Sequence, residues 1–207
     1  MDELVRQALA RWPNVPHCHG WLALDARGRW RIGPGRETIT HAPTLAFINR
    51  NYLPDAAGNW TFQNGPQRVY VDLECTPYVW RLVPHHADGM VLQDHTGHTA
   101  THASGAWMTD TGRFVIAAAG RVGVLHDHDT HLLLERLCDR DGELLSEAAA
   151  SARLAGLGHE GHTDPLDAGL WVRLPDTPAA LPLLLLAEAD LGRHFGFIPH
   201  PHPDGTS

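Results

Sequence analysis

Trp21–Ile32 reads WLALDARGRWRI: two short alternating runs, Trp21–Asp25 and Arg29–Ile32, on either side of a turn that holds Gly28. Apolar alternation broken by Asp-x-x-Gly is the pattern of a β-hairpin whose glycine takes the positive-φ corner. Downstream, Pro43 suits a first helical turn, and Leu45, Ile48 and Tyr52 recur at i, i+3 and i+7, which predicts a helix with one buried stripe. A second hairpin follows from Asp55–Trp60 (DAAGNW): Trp60–Gln63, the turn NGPQ, and the strand RVYVDLEC. In that strand Val69, Val71, Leu73 and Cys75 share one face, and Arg68, Tyr70, Asp72 and Glu74 the other. Upstream, Leu4, Val5, Ala8, Leu9 and Trp12 have helical spacing, and Pro13 stops the helix.

The second half repeats this grammar. Trp107–Ile116 (WMTDTGRFVI) reads as a hairpin around Gly112, Asp127–Leu137 (DHDTHLLLERL) as a helix with acids in its first turn, and Asp141-Gly142 as a turn. Gly28 to Gly58 and Gly112 to Gly142 are each 30 residues apart, and an Asp precedes Gly-Arg-Trp, Gly-Asn-Trp and Gly-Arg-Phe. The expected fold is therefore α+β, with two related halves, each made of small antiparallel hairpins carrying a helix. The expected division is residues 1–84 and 85–207, at Pro84. The fourth hairpin has two candidates, Gly142-Glu143-Leu144 and Asp167–Trp171; with the second, Glu143–Gly156 is an inserted helix. Val83–Gly105, His-rich and polar, is either a linker or a hairpin around Gly97, and the tail from Pro199 is predicted to be extended and frayed. Trp30, Trp60, Trp107 and Trp171 are expected to anchor the hairpins in the core.

Composition narrows the functional classes. The 207 residues are 43% apolar and 19% charged, so the chain is expected to be soluble and globular and to bury a sizeable core. All 16 basic residues are Arg, which removes phosphate-loop NTPases, pyridoxal enzymes and lysine nucleophiles together. A net charge of −8 without an Arg cluster offers nothing to nucleic acid or to an anionic membrane. The three cysteines, Cys18, Cys75 and Cys138, are odd in number and far apart. With no secretory segment in Met1–Trp12, they point to free thiols and a cytoplasmic protein.

Gly20–Ile32, Leu45–Trp60 and QNGPQRVYVDLECTPYVWRL (Gln63–Leu82) resemble a family of uncharacterised proteobacterial proteins of about this length. More distantly, the Asp-Gly-x-Trp hairpin, the helix and the strand running into Thr76-Pro77-Tyr78-Val79 are similar to a second bacterial family of unknown function. That resemblance implies an α+β fold of two structurally similar halves, and a ligand-binding or signalling role proposed from the fold alone. It implies no catalytic residues.

Sixteen histidines invite a metal, and three clusters have the spacing to be weighed: His95/His98/His102, His126/His128/His131 and His17/His19. Gly97 speaks against a helix in the first, acids are expected at a helix start in the second, and His159-Glu160-Gly161-His162 is one residue short of HExxH. Four serines with no G-x-S-x-G elbow, and cysteines on apolar faces, give nucleophilic catalysis no footing. Gly33-Pro34-Gly35-Arg36 reads as a tight turn rather than an anion cradle.

The polar strand face is the expected ligand site: Arg68, Tyr70, Asp72 and Glu74, with Arg50 and Asn51 ending the preceding helix and Trp80 and Arg81 following Pro77. If the halves pack together, this face borders a cleft in which Arg offers forked donors and Tyr or Trp a flat apolar wall. A solvated sheet face with cross-strand charge pairs gives the same pattern. The expectation is a non-catalytic binding or regulatory module for a small molecule, without cofactor, metal, nucleic acid or membrane. Two alternatives stand beside it: a His-ligated metal-dependent hydrolase, and a structural module that binds a protein partner.

Overall fold

Five hairpin turns share one backbone geometry. At Asp25, Asp55, Asp94, Thr109 and Asp139 the residue's N–H bonds the carbonyl four residues on, and its own carbonyl accepts the N–H of the glycine three residues on. Those glycines, Gly28, Gly58, Gly97, Gly112 and Gly142, all have φ between +74° and +92°. This is the three-residue hairpin loop that ends in a left-handed residue, where glycine carries no Cβ penalty. Each Asp reinforces it by accepting two backbone N–H groups on Oδ1, as Asp25 does from Arg27 (3.0 Å) and Arg29 (2.9 Å).

The computed structural model describes residues 1–12, 14–85, 89–156 and 169–203. Pro13, His159–His162 and the start of the Asp167 hairpin candidate lie outside the described residues. The chain divides into two compact units: residues 1–77 together with the C-terminal residues from Leu191, and Tyr78–Asp190.

The first unit holds α1 (Glu3–Arg11), β1 (Cys18–Leu24), β2 (Trp30–Ile32), β3 (Glu37–Thr38), α2 (Ala42–Arg50), β4 (Tyr52–Pro54), β5 (Trp60–Asn64) and β6 (Gln67–Leu73). Its sheet runs β3-β2-β1-β6-β5-β4. Neighbours within each three-stranded meander are antiparallel, and the meanders join through a parallel β1–β6 pair. Leu22, Leu24, Val69, Val71 and Leu73 point to one side and are buried with Trp30, Ile48, Tyr52, Trp60 and Phe62. Pro43 sits in the first turn of α2, and of α1's apolar stripe only Val5 is buried; Leu4 and Trp12 are exposed.

The second unit holds β7 (Tyr78–His85), β8 (Gly89–Asp94), β9 (Thr99–Ala100), β10 (Ala103–Thr109), β11 (Phe114–Ala118) and β12 (Arg121–Leu125). A 3-10 turn (Asp127–Asp129) leads into α3 (Thr130–Leu134), and then come β13 (Leu137–Cys138), α4 (Glu147–Gly156), β14 (Trp171–Val172) and β15 (Leu181–Leu186). Its sheet runs β13-β14-β15-β10-β11-β12-β7-β8-β9. Read from β12, the order β12-β11-β10-β15-β14-β13 repeats β3-β2-β1-β6-β5-β4 strand for strand, again with a parallel pair, β10–β15, at the centre. The fold is α+β with two related halves, as the sequence reading expects. Two features differ from that reading: the sheets are mixed rather than antiparallel, and Tyr78–His85 adds the meander β7-β8-β9 to the second unit through a parallel β7–β12 pair.

Both fourth-hairpin candidates contribute. The turn at Gly142 has the shared geometry, and Leu144 bridges back to Cys138. The chain then leaves through α4 and returns at Trp171 to pair with Cys138 on its other side. Trp30 and Trp60 are core anchors as expected, whereas Trp107 and Trp171 are half-buried. The fully buried tryptophan of the second unit is Trp80. The C-terminal segment returns to the first unit through α5 (Leu191–Phe195). There the Ile198 N–H bonds the Gly58 carbonyl (2.9 Å), and the Leu73 N–H bonds the Pro199 carbonyl (2.8 Å).

Candidate functional site

In β6 the buried face is apolar and the opposite face carries Arg68, Tyr70 and Asp72, with Glu74 just past the strand's end lining the same cavity as Asp72. Antiparallel β1–β2 pairing sets Arg31 opposite Ala23, and parallel β1–β6 pairing sets Ala23 beside Asp72, which brings Arg31 to the same face. A bulge between Cys18 and Leu22, built on Gly20 at φ 68°, re-aims the strand start. It leaves His17 and His19 around the Tyr70 ring: His19 stacks on it at 4.1 Å, and His17 lies 5.6 Å away and tilted.

A cavity of about 460 Å³ opens on this face, lined by Asp25, Arg31, Arg36, Asp72, Glu74 and His200 among others. Its charges are already organised. Asp25 Oδ2 accepts from Arg29 Nε (2.8 Å) and Arg31 Nε (2.9 Å), Asp72 accepts from Arg36, and Glu74 Oε2 accepts the Ala26 N–H (3.1 Å). Burial pushes the Asp25 carboxyl up, but the Arg29 amide and the Arg31 and Arg29 guanidinium groups outweigh it and hold the group ionised below the usual carboxylate range. Burial lowers His19, and the nearby charge of His17 lowers it further against the pull of Asp72. Arg31 also donates Nη1 to Thr38 Oγ1 (2.5 Å) and to the Arg36 carbonyl (3.5 Å); a guanidinium has five N–H groups, so the Nη2 of Arg31 and the remaining groups of Arg36 keep donors for a ligand while their positions are fixed.

The eight residues expected at the site separate. Asp72 and Glu74 line the cavity, and Tyr70 and Arg68 lie on the same strand face. Arg50 and Asn51 do other work: Arg50 pairs with Asp2, while buried Asn51 accepts the Asp2 N–H (2.7 Å) and donates to the Phe47 carbonyl (3.0 Å), tying α1 to the end of α2. Trp80 and Arg81 belong to the second unit. Trp80 is fully buried, donates Nε1 to the Ile116 carbonyl (2.9 Å) and stands where a Cβ on Gly123 would collide with its ring, so it is no wall for a ligand. Arg81 is held by Asp129 through two bonds, and Asp129 also accepts the Leu82 N–H (2.9 Å). Sequence reasoning missed Asp25, Arg31, Arg36 and His200; the Asp25-x-x-Gly28 turn signalled a local structural role but not the cavity beside it.

The histidine clusters disperse. Among the described residues no group of three or more His, Cys, Asp or Glu is arranged to hold a metal ion. His95 is half-buried at the β8–β9 turn with its Nε2 enclosed, while His98 and His102 are exposed. His126 caps the 3-10 turn by accepting the His128 N–H (3.1 Å). Cys18, Cys75 and Cys138 are free thiols, and the last two are buried. Gly33–Arg36 is the expected tight turn, closed by the Arg36 N–H on the Gly33 carbonyl. Among the described residues no helix is long and apolar enough to cross a membrane.

Residues 1–202 match the model of the family DUF2944, described as "Protein of unknown function (DUF2946)". The chain belongs to this family. Two solved structures of DUF1285 family proteins are similar to it, each at 12% identity. That from Shewanella baltica OS155 has a TM-score of 0.40 and covers 54% of this chain and 87% of its own. That from Silicibacter pomeroyi DSS-3 has a TM-score of 0.46 and covers 68% and 87%. No curated protein matches.

Proposed function

We propose that this member of the family is a non-catalytic, cytoplasmic ligand-binding or regulatory module, and that its ligand is a small polar molecule carrying both charges. The observation that supports this reading is the cavity over Asp72 and Glu74, whose lining combines fixed guanidinium and carboxylate groups with no activated nucleophile. A pre-paired network is rigid before the ligand arrives, so little side-chain ordering opposes binding. An anionic group meets the spare donors of Arg31 and Arg36, and a cationic group meets Glu74, which is exposed at the rim. A volume of this size suits a metabolite rather than a macromolecule.

A thermal-shift screen of amino acids, nucleotides and carboxylic acids on the full chain tests it. A ligand specific to the folded form at about a hundred times its Kd adds about 2.7 kcal/mol of stability. The expected hit is zwitterionic, and Glu74→Gln with Arg36→Gln abolishes its shift. Absence of any hit, together with purification in a stable complex with another protein, favours the partner-binding alternative and ends this reading.

A further inference from the structure

The second unit has its own cavity, of about 520 Å³, lined by Met90, Glu135, Arg136, Arg173 and Asp176 among others. Its two arginines are direct cross-strand neighbours. Leu137 pairs with Val172 in the antiparallel β13–β14 ladder, and the next bond outward runs from the Arg173 N–H to the Arg136 carbonyl (2.9 Å). Like charges directly opposite one another destabilise a sheet unless something neutralises them. Among the described residues neither guanidinium has a carboxylate partner. Arg136 donates to the Leu132 carbonyl (2.6 Å) and to Met90 Sδ (3.3 Å), both uncharged. Arg173 packs on the Asp139–Gly142 turn, where a side chain on Gly142 would crowd it: an added Cβ would stand 2.8 Å from its Nη2. Glu135 and Asp176 are exposed and form no ion pair with either arginine.

We propose that this cavity is a second binding site, for a compact oxyanion, the phosphate or carboxylate group of a small molecule, gripped between Arg136 and Arg173. An anion bridging the two relieves their repulsion and meets forked donors on both sides. The exposed Glu135 and Asp176 disfavour polyanions, so a single small group is preferred. The site lies wholly in the second unit, and its failure leaves the reading of the first-unit cavity untouched.

The test titrates the full chain with inorganic phosphate and, separately, with acetate in a buffer free of other oxyanions, reading phosphate binding by 31P line broadening and acetate binding by 13C. Saturable binding of at least one probe is expected, and the probe that binds distinguishes phosphate from carboxylate. Arg173→Gln is expected to weaken binding by about tenfold or more, the scale of a charge-assisted bidentate contact. Without anion, Arg173→Gln is expected to melt no lower than the natural chain, because a like-charge pair has been removed. The proposal is overturned by no saturable binding of either probe, or by binding that Arg173→Gln leaves unchanged. A lower melting temperature for Arg173→Gln in anion-free buffer also overturns it, because the arginine is then held by the protein alone.

Discussion

The β1–β2 turn and the β10–β11 turn occupy the same place in the two repeats and have the same backbone, yet they treat charge differently. Asp25 and Thr109 both accept the amide four residues on, from Arg29 (2.9 Å) and Arg113 (3.0 Å). Asp25 goes further and gathers the Arg29 and Arg31 guanidinium groups. Thr109 offers a neutral hydroxyl, so Arg113 pairs elsewhere, with Glu188 (3.1 Å). The same contrast reappears at the cavities: the guanidinium groups of the first are paired with carboxylates, and among the described residues Arg136 and Arg173 of the second have no carboxylate partner. Backbone geometry constrains the turn residues in both copies, whereas the side chains on the sheet faces are free to diverge, and binding properties differ there.

The widest separation between the repeats is expected from Asp25→Ala against Thr109→Ala. The first strands two guanidinium groups and two amides and costs about 3 kcal/mol. The second loses one neutral acceptor and costs about 1 kcal/mol. Urea unfolding checks both, and equal losses would remove the distinction drawn between the turns.

Acid is expected to act on the second unit through His95, whose ring lies 5.9 Å from that of Tyr78 and beside buried Asp94, which pairs with Arg121. Burial lowers His95 to about 4; the Asp94 charge pulls it back up, and that of Arg121 adds to the lowering. The folded pKa lies below the unfolded value of about 6.5, so between these pH values the unfolded chain binds a proton that the folded chain refuses. Stability is therefore full above about pH 6.5 and falls by about 3 kcal/mol as pH drops toward 4. Unfolding free energy measured against pH in His95→Asn should lose most of that slope. Asp25 and Asp129 have folded pKa values below their unfolded ones, so what they contribute is present above about pH 4 and lost as pH falls through the folded values.

A smaller contrast separates two glycines. Gly58 and Gly112 have φ of +90° and +78°. A Cβ on Gly58 would stand 2.7 Å from the Gly196 carbonyl oxygen, whereas one on Gly112 meets nothing within 4 Å. Gly112→Ala is expected to cost about 1 kcal/mol of backbone strain, and Gly58→Ala about 2 kcal/mol because the C-terminal segment must also shift. Thermal melts of the two variants should rank them in that order.

Local chemistry was legible in the sequence, and long-range pairing was not. Asp-x-x-Gly between alternating runs specifies a hairpin by itself, and RVYVDLEC announces which side of its own strand is buried. Nothing in that alternation names the neighbouring strand, so the parallel β1–β6 and β10–β15 pairs, and with them the meeting of Arg31 with Asp72, had to await the fold. Trp80 misled for a related reason. Tyr78, Val79 and Trp80 are all buried, so β7 begins without alternation and its polar follower Arg81 looked like part of a binding face. Asn51 looked available because a helix end is commonly solvated, yet here it is buried beneath the incoming N-terminus.

The central contrast, carboxylate-paired guanidinium groups at the first unit's cavity and unneutralised ones at the second unit's, is tested most directly by the Nε–Hε NMR signals of Arg29, Arg136 and Arg173 during titration with phosphate and with acetate. Arg136 and Arg173 are expected to shift together and saturate with at least one of the two anions, while Arg29, locked on Asp25, stays in place. Movement of Arg29 first, or no movement of Arg136 and Arg173 with either anion, would contradict that contrast.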